Sequence, residues 1–263
     1  MFLVDSHCHL DQLDLAPYQG QLDRALAHAR EAGVEYILNV CINLADFPKV
    51  LQIAKDYSSS VSATVGLHPN EAEEVDLTQK LLHYAQDEKI VAIGETGLDY
   101  YRSAGDLAWQ RQRFREHIQV AKEVNKPLIV HSRQAKADTL HILREEKASD
   151  VQGVLHCFTE DWEMARQAMD MGFYISFSGV VTFRNAKTVQ DVAARIPLDK
   201  LLLETDAPYL APDPYRGKAN VPAYMRHTAE YIAQLKGMDV AVLAQQTTKN
   251  FFTLFHGVQQ PHV

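Results

Sequence analysis

Short apolar runs alternate with longer amphipathic stretches along the whole chain. The apolar runs lie at 2–6, 35–41, 61–66, 90–94, 127–131, 153–157, 173–178 and 200–204, each of strand length. Between them apolar positions recur with a helical period over 21–32, 46–56, 78–86, 106–124, 138–147, 161–171 and 186–195, and a helical tail runs from about 222 to 256. Alternation at this spacing predicts parallel strands joined by crossover helices. Eight such units in about 250 residues have the length of a closed (β/α)8 TIM barrel, the expected fold. A doubly wound open sheet is the alternative. No low-complexity linker, internal repeat or break in composition divides the chain, so a single domain over 1–263 is expected.

Polar residues at the ends of the apolar runs separate the two architectures. A barrel collects ligands from the ends of many strands, whereas an open sheet gathers them at one crevice. His7 and His9 follow the first run, and strand alternation turns both rings to one side and Cys8 to the other. Glu95 follows the fourth run in IGETGLDYY, His131 ends the fifth in LIVHSR, His156 sits near the end of the sixth in VLHCF, and Asp206 follows the eighth in LLLETDAPY. Each alone has a bland reading: a satisfied strand-end histidine, a turn residue between Gly94 and Gly97 for Glu95, a cap before Pro208 for Asp206. Together, four imidazoles and two carboxylates exceed what one tetrahedral ion with an open position needs, and they suit two divalent ions bridged by a carboxylate. Glu95 is the expected bridge. His7, His9 and Asp206 are assigned to one ion, and His131 and His156 to the other.

Further residues are candidates around that centre. Asp5 and Glu204 share strand parity with His9 and Asp206, and are expected to point inward, either bonding a ligand or satisfying the barrel floor. His68 in GLHPNE is placed to touch substrate or leaving group. Arg133, Arg184, Arg216 and Lys218 lie just past strand ends or in PDPYRGKAN, where guanidinium forks suit phosphate oxygens. Tyr100, Tyr101, Trp109 and Phe114 form an aromatic cluster after the fourth run, mostly core, with one ring free to stack on a base. There is no P-loop, no Rossmann glycine fingerprint and no GxSxG elbow, and Cys157 is read as structural.

Composition narrows the class. With 263 residues, 46% of them hydrophobic and 23% charged, the chain has the balance of an ordinary globular enzyme rather than a disordered or fibrous one. No stretch approaches the roughly 18 apolar residues of a membrane span, and Cys8, Cys41 and Cys157 are too few and scattered for a disulfide scaffold. A cytoplasmic location is expected, with no membrane and no obligate protein partner. A formal net charge of −8 argues against broad electrostatic capture of nucleic acid, so an anionic substrate must be drawn in locally.

The motifs resemble, nearly end to end, those of the TatD-type metal-dependent deoxyribonucleases, most closely their YcfH-like branch. DSHCHLD, GLHP, IGETGLDYY, the Gln110–Phe114 stretch, KPLIVHSR, GVLHCF, FYISFSG, LLLETDAPYLAP, RGKAN and TTKNFFTLF carry the likeness. It implies a TIM barrel of the metal-dependent amidohydrolase-like type, divalent-metal hydrolysis, and ligand positions at His7, His9, Glu95, His131, His156 and Asp206. One departure is Gln134, where relatives commonly carry an acidic residue after the arginine. The expected function is phosphodiester hydrolysis, of DNA ends or single-stranded DNA, with Asp206 as general base and His68 assisting the leaving oxygen. The alternative is hydrolysis or deamination of a small amide, ester or nucleobase. Imidazole ligands favour Zn, Mn, Fe or Ni, and the resemblance adds Mg, so the metal is left open.

Overall fold

Strands buried on both faces read as near-continuous apolar runs, and two apolar layers account for them here. The computed structural model describes residues 1–71 and 75–258. Eight parallel strands follow one another in sequence order: β1 (Leu3–Cys8), β2 (Val34–Asn39), β3 (Val61–Val65), β4 (Ile90–Asp99), β5 (Leu128–Arg133), β6 (Gly153–Leu155), β7 (Tyr174–Phe177) and β8 (Leu201–Leu203). Between them run α1 (Leu22–Glu31), α2 (Phe47–Asp56), α3 (Leu77–Tyr84), α4 (Ala108–Val124), α5 (Lys136–Glu145), α6 (Trp162–Asp170) and α7 (Lys187–Arg195), and β8 is followed by α8 (Met225–Lys236) and α9 (Val240–Leu254). The outer layer joins Leu3, Ile37, Ala63, Ile93, Leu128, Ile175 and Leu203 to the helices. The inner layer joins Val4, Leu38, Ala92, Ile129, Val154 and Leu202 to Phe251, Leu254 and Phe255, so α9 plugs the barrel floor.

The two ends of the sheet meet, which decides against an open sheet. The Asp206 amide donates to His7 O at 2.9 Å and the His9 amide to Ala207 O at 2.8 Å. Below them Asp5 stitches the same seam, Oδ1 accepting from the Thr205 amide at 2.9 Å and Oδ2 from Thr205 Oγ1 at 2.6 Å. Asp5 is therefore spent on barrel closure rather than on orienting a ligand side chain. Burial pushes its carboxyl up to about 7 against those hydrogen bonds.

Two elements depart from the sequence reading. β4 and β5 run on past residues 94 and 131, pairing Gly97 with His131 and Asp99 with Arg133 in a ribbon that rises from the rim. Gly97 permits this approach, since a Cβ there would lie 2.0 Å from His131 O, and its φ is +128°. The helical tail is two helices, broken where Gly237 turns left-handed at φ +64° and Asp239 caps α9 through the Ala241 amide. Among the described residues no helix is long and apolar enough to cross a membrane.

Candidate metal centre

Backbone hydrogen bonds at the rim fix where the chemistry-bearing side chains start. The Glu95 amide donates to Cys41 O at 2.9 Å and the His156 amide to Val130 O at 3.0 Å, alongside the seam bonds of His9 and Asp206. From these positions the six residues named by spacing converge on one buried point. Glu95 Oε2 lies 3.3 Å from His7 Nε2 and 4.0 Å from His9 Nε2. Its other oxygen, Oε1, lies 2.9 Å from His156 Nε2 and 3.2 Å from His131 Nδ1. Asp206 Oδ1 joins the first group, 3.4 Å from His9 Nε2 and 3.7 Å from His7 Nε2. The His7 and His156 rings stack with centroids 3.9 Å apart, tying the two groups together.

Outer contacts decide which nitrogen each ring offers. His9 Nδ1 donates to Val40 O at 2.9 Å, leaving the Nε2 lone pair facing inward. His131 is turned the other way: Nε2 meets Asp99 Oδ2 at 3.2 Å and Nδ1 faces Glu95. His68 also reaches Glu95, with Nε2 3.4 Å from Oε1. Its Nδ1, however, accepts from the Asn70 amide at 3.1 Å, so in the neutral ring the proton sits on Nε2. His68 is thereby a donor at this point, not a lone pair. Glu204, expected near a ligand, lies 3.6 Å from His156 Nδ1 and accepts from Ser176 Oγ.

Both carboxylates of the centre are held ionised, which favours cations beside them. Burial opposes ionisation of Glu95, but the surrounding imidazoles win and hold its carboxyl well below the usual range. Asp206 is likewise lowered, by His9 and His7 against burial. Burial works against protonating His9, yet Asp206 and Glu95 raise it to about 9, and Glu95 and Glu204 raise His156 well above its ordinary value. Nε2 of His7 and His9 face each other at 3.3 Å, and among the described residues His7 Nδ1, His156 Nδ1 and Glu204 Oε1 are buried without a hydrogen-bond partner. Ligand atoms come within 4.8 Å of one another in His7, His9 and Glu95 and again in His7, His156 and Asp206, while His68 approaches Glu95 and His131 with its donor side. Nitrogen and carboxylate donors in this number fit divalent metal.

The centre opens into a cleft of about 870 Å³. Arg133 and Lys218 line it, as does Arg102, which the sequence reading passed over. Val180, Phe183, Tyr209 and Leu210 add apolar surface to its lining. Arg184 is exposed away from the cleft lining, and Arg216 lies outside it with its guanidinium 4.2 Å over the Phe183 ring. Cys157 lines the cleft with Sγ 3.2 Å from Ser178 Oγ, and burial pushes its thiol well up, which disfavours a nucleophile. The loop carrying Asp206 is held by buried Asn220, whose Nδ2 donates to Thr205 O at 2.9 Å and Tyr209 O at 2.7 Å.

Comparison with known proteins agrees with this geometry. The family model described as TatD related DNase matches residues 4–256. YcfH of Escherichia coli K12, described as an uncharacterized metal-dependent hydrolase, is 51% identical over 97% of this chain and 96% of its own. YabD of Bacillus subtilis, described in the same words, is 41% identical over 96% of this chain and 98% of its own. Among solved structures, YjjV, a TatD homologue from Escherichia coli K12, superposes with a TM-score of 0.88 at 29% identity, covering 97% of this chain and 98% of that one. The chain belongs to the TatD family of metal-dependent hydrolases.

Proposed function

We propose that the chain is a two-metal phosphodiesterase acting on DNA ends or single-stranded DNA in the cytoplasm. The observation that carries the binuclear reading is the straddling of Glu95, one carboxylate oxygen facing His7 and His9 and the other facing His131 and His156. His7, His9 and Asp206 would hold one ion and His131 and His156 the other, with Glu95 shared between the two groups. Divalent ions held there would supply a water of lowered pKa, towards about 7, and positive charge beside phosphoryl oxygens. Asp206, facing the same space, takes the proton of the attacking water. His68 presents its Nε2–H to the phosphoryl or leaving oxygen, and burial drops its pKa to about 4, which keeps it a neutral donor. Arg102, Arg133 and Lys218 hold the neighbouring phosphate oxygens, while the apolar surface of Phe183, Tyr209 and Leu210 receives a base. Arg216 acts only through Phe183. Free thiols at Cys8, Cys41 and Cys157 favour a reducing compartment.

The test is metal content together with hydrolysis of bis-p-nitrophenyl phosphate and labelled single-stranded DNA, after chelation and re-addition of Mg, Mn and Zn. About two metals per chain, with turnover lost in Glu95→Ala, supports the reading and ranks the metals. Metal without phosphodiester turnover would shift it to carbonyl or amidine substrates.

A further inference from the structure

Which nitrogen an imidazole offers to a cation is decided by what bonds the other one. At His9 that partner is a backbone carbonyl, fixed by the fold. At His131 it is a side chain, Asp99, fully buried at the tip of the β4–β5 ribbon. Among the described residues, every partner of that carboxylate is a donor. Oδ1 accepts from the amides of Tyr101 at 3.0 Å and Arg102 at 2.9 Å, and Oδ2 accepts from Asn70 Nδ2 at 3.0 Å beside His131 Nε2. The Asn70 amide cannot be turned round, because Ser103 Oγ donates to its Oδ1 at 2.9 Å and itself accepts from Gln110 Nε2 at 2.8 Å. Gln110 Oε1 in turn accepts from the Asp99 amide at 3.1 Å.

We propose that Asp99 is a positioning residue that keeps the His131 proton on Nε2 and so selects Nδ1 as the atom offered to metal. The inference rests on the binuclear reading above. The same network sets His68 oppositely, since the Asn70 backbone amide occupies His68 Nδ1 and leaves Nε2–H pointing inward. One buried carboxylate and its asparagine thus make His131 an acceptor and His68 a donor.

An amide cannot replace the carboxylate. Asparagine at 99 has one oxygen, so either the two backbone amides or the Asn70–His131 pair meets an NH2 group. Two backbone donors against one side-chain donor and one ring favour keeping the oxygen on the backbone, which turns the NH2 towards His131. The ring then accepts at Nε2 and carries its proton on Nδ1, where metal should bind.

The experiment is cobalt(II) titration of the metal-free full chain, read by visible absorption, for wild type, Asp99→Asn, His131→Ala and the double variant, with circular dichroism as the check on folding. Asp99→Asn is expected to fold and to lose about 10–100-fold in affinity at one of the cobalt sites, and the double variant to be no worse than His131→Ala. Wild-type affinity in Asp99→Asn, or further loss in the double variant, overturns the proposal. If Asp99→Asn does not fold, the nitrogen-15 spectrum of the zinc-loaded wild type decides: a proton on His131 Nε2 supports the assignment and one on Nδ1 overturns it. The wild type's own stoichiometry reports the binuclear reading, and only the difference between wild type and variant reports Asp99.

Discussion

His117 shows how a single residue away from the candidate metal centre can hold the site in place. It is fully buried on α4, Nε2 accepting from the Leu67 amide at 3.0 Å and Nδ1 donating to Arg113 O at 2.8 Å. These bonds tie α4 to the segment that ends in His68. Burial drops its pKa to about 4. The folded value lies below the unfolded one, so the unfolded chain binds the proton first as pH falls from about 6.5 to about 4, and stability is lost across that window. The full shift is worth about 3 kcal/mol. In urea unfolding of the metal-free protein, the stability margin of wild type over His117→Gln should narrow by up to about 3 kcal/mol between pH 7 and pH 4; a margin independent of pH would refute this. His117 gave no signal in the sequence, being one polar residue on an otherwise ordinary helix. His7, His9, Glu95, His131, His156 and Asp206 were legible because strand alternation and strand ends are local properties that chain spacing exposes. Asp99 and Arg102 were missed for the converse reason. Their place depends on β4 continuing beyond Gly94, and that continuation exists only because β5 pairs with it.

Elements were predicted well where one hydrophobic period runs without competition, and α1, α2, α6 and α7 fall within a residue or so of the expected limits. The sequence marks a helical tail without dividing it, and Gly237 and Asp239 carry the ordinary stop and start chemistry that splits it into α8 and α9. Its division matters, since it lets α9 turn under the barrel and deliver Phe251 and Phe255 to the inner layer while α8 stays with the outer one. Phe251 packs against Phe255 with centroids 4.6 Å apart and against Tyr36 at 5.8 Å. Removing its ring leaves a cavity among rigid strands that cannot collapse, so Phe251→Ala should cost about 3–5 kcal/mol. The proposed metal ligands lie at the opposite, C-terminal end of the strands, and cobalt affinity of the folded variant should be unchanged. Urea unfolding and cobalt titration of the same preparation check both halves. Unchanged stability would mean that α9 does not fill the floor, and weakened metal binding would mean that strain crosses the barrel.

At the scale of the whole molecule the question is how a chain of net charge −8 would take up the DNA substrate proposed for it. Long-range attraction works against it, so on the proposed reading binding would come from the cations that line the cleft among the described residues, Arg102, Arg133 and Lys218, together with any bound metal. Each phosphate neutralised on single-stranded DNA contributes roughly −0.7 to the slope of log affinity against log salt. Three such contacts predict a slope of about −2, far shallower than that of proteins that grip long duplexes. Arg133 stacks on Tyr101 at 4.2 Å, which holds its guanidinium at the cleft mouth, so Arg133→Ala should make the slope shallower by about 0.7. Arg216 stacks on Phe183 outside the cleft, so Arg216→Ala should leave the slope as it is and weaken binding of the base instead. Measuring kcat/KM on single-stranded DNA across a salt series for wild type and both variants separates the two arginines. Equal changes in slope would place both on phosphate, and a steep wild-type slope would mean that an extended basic track operates despite the net charge.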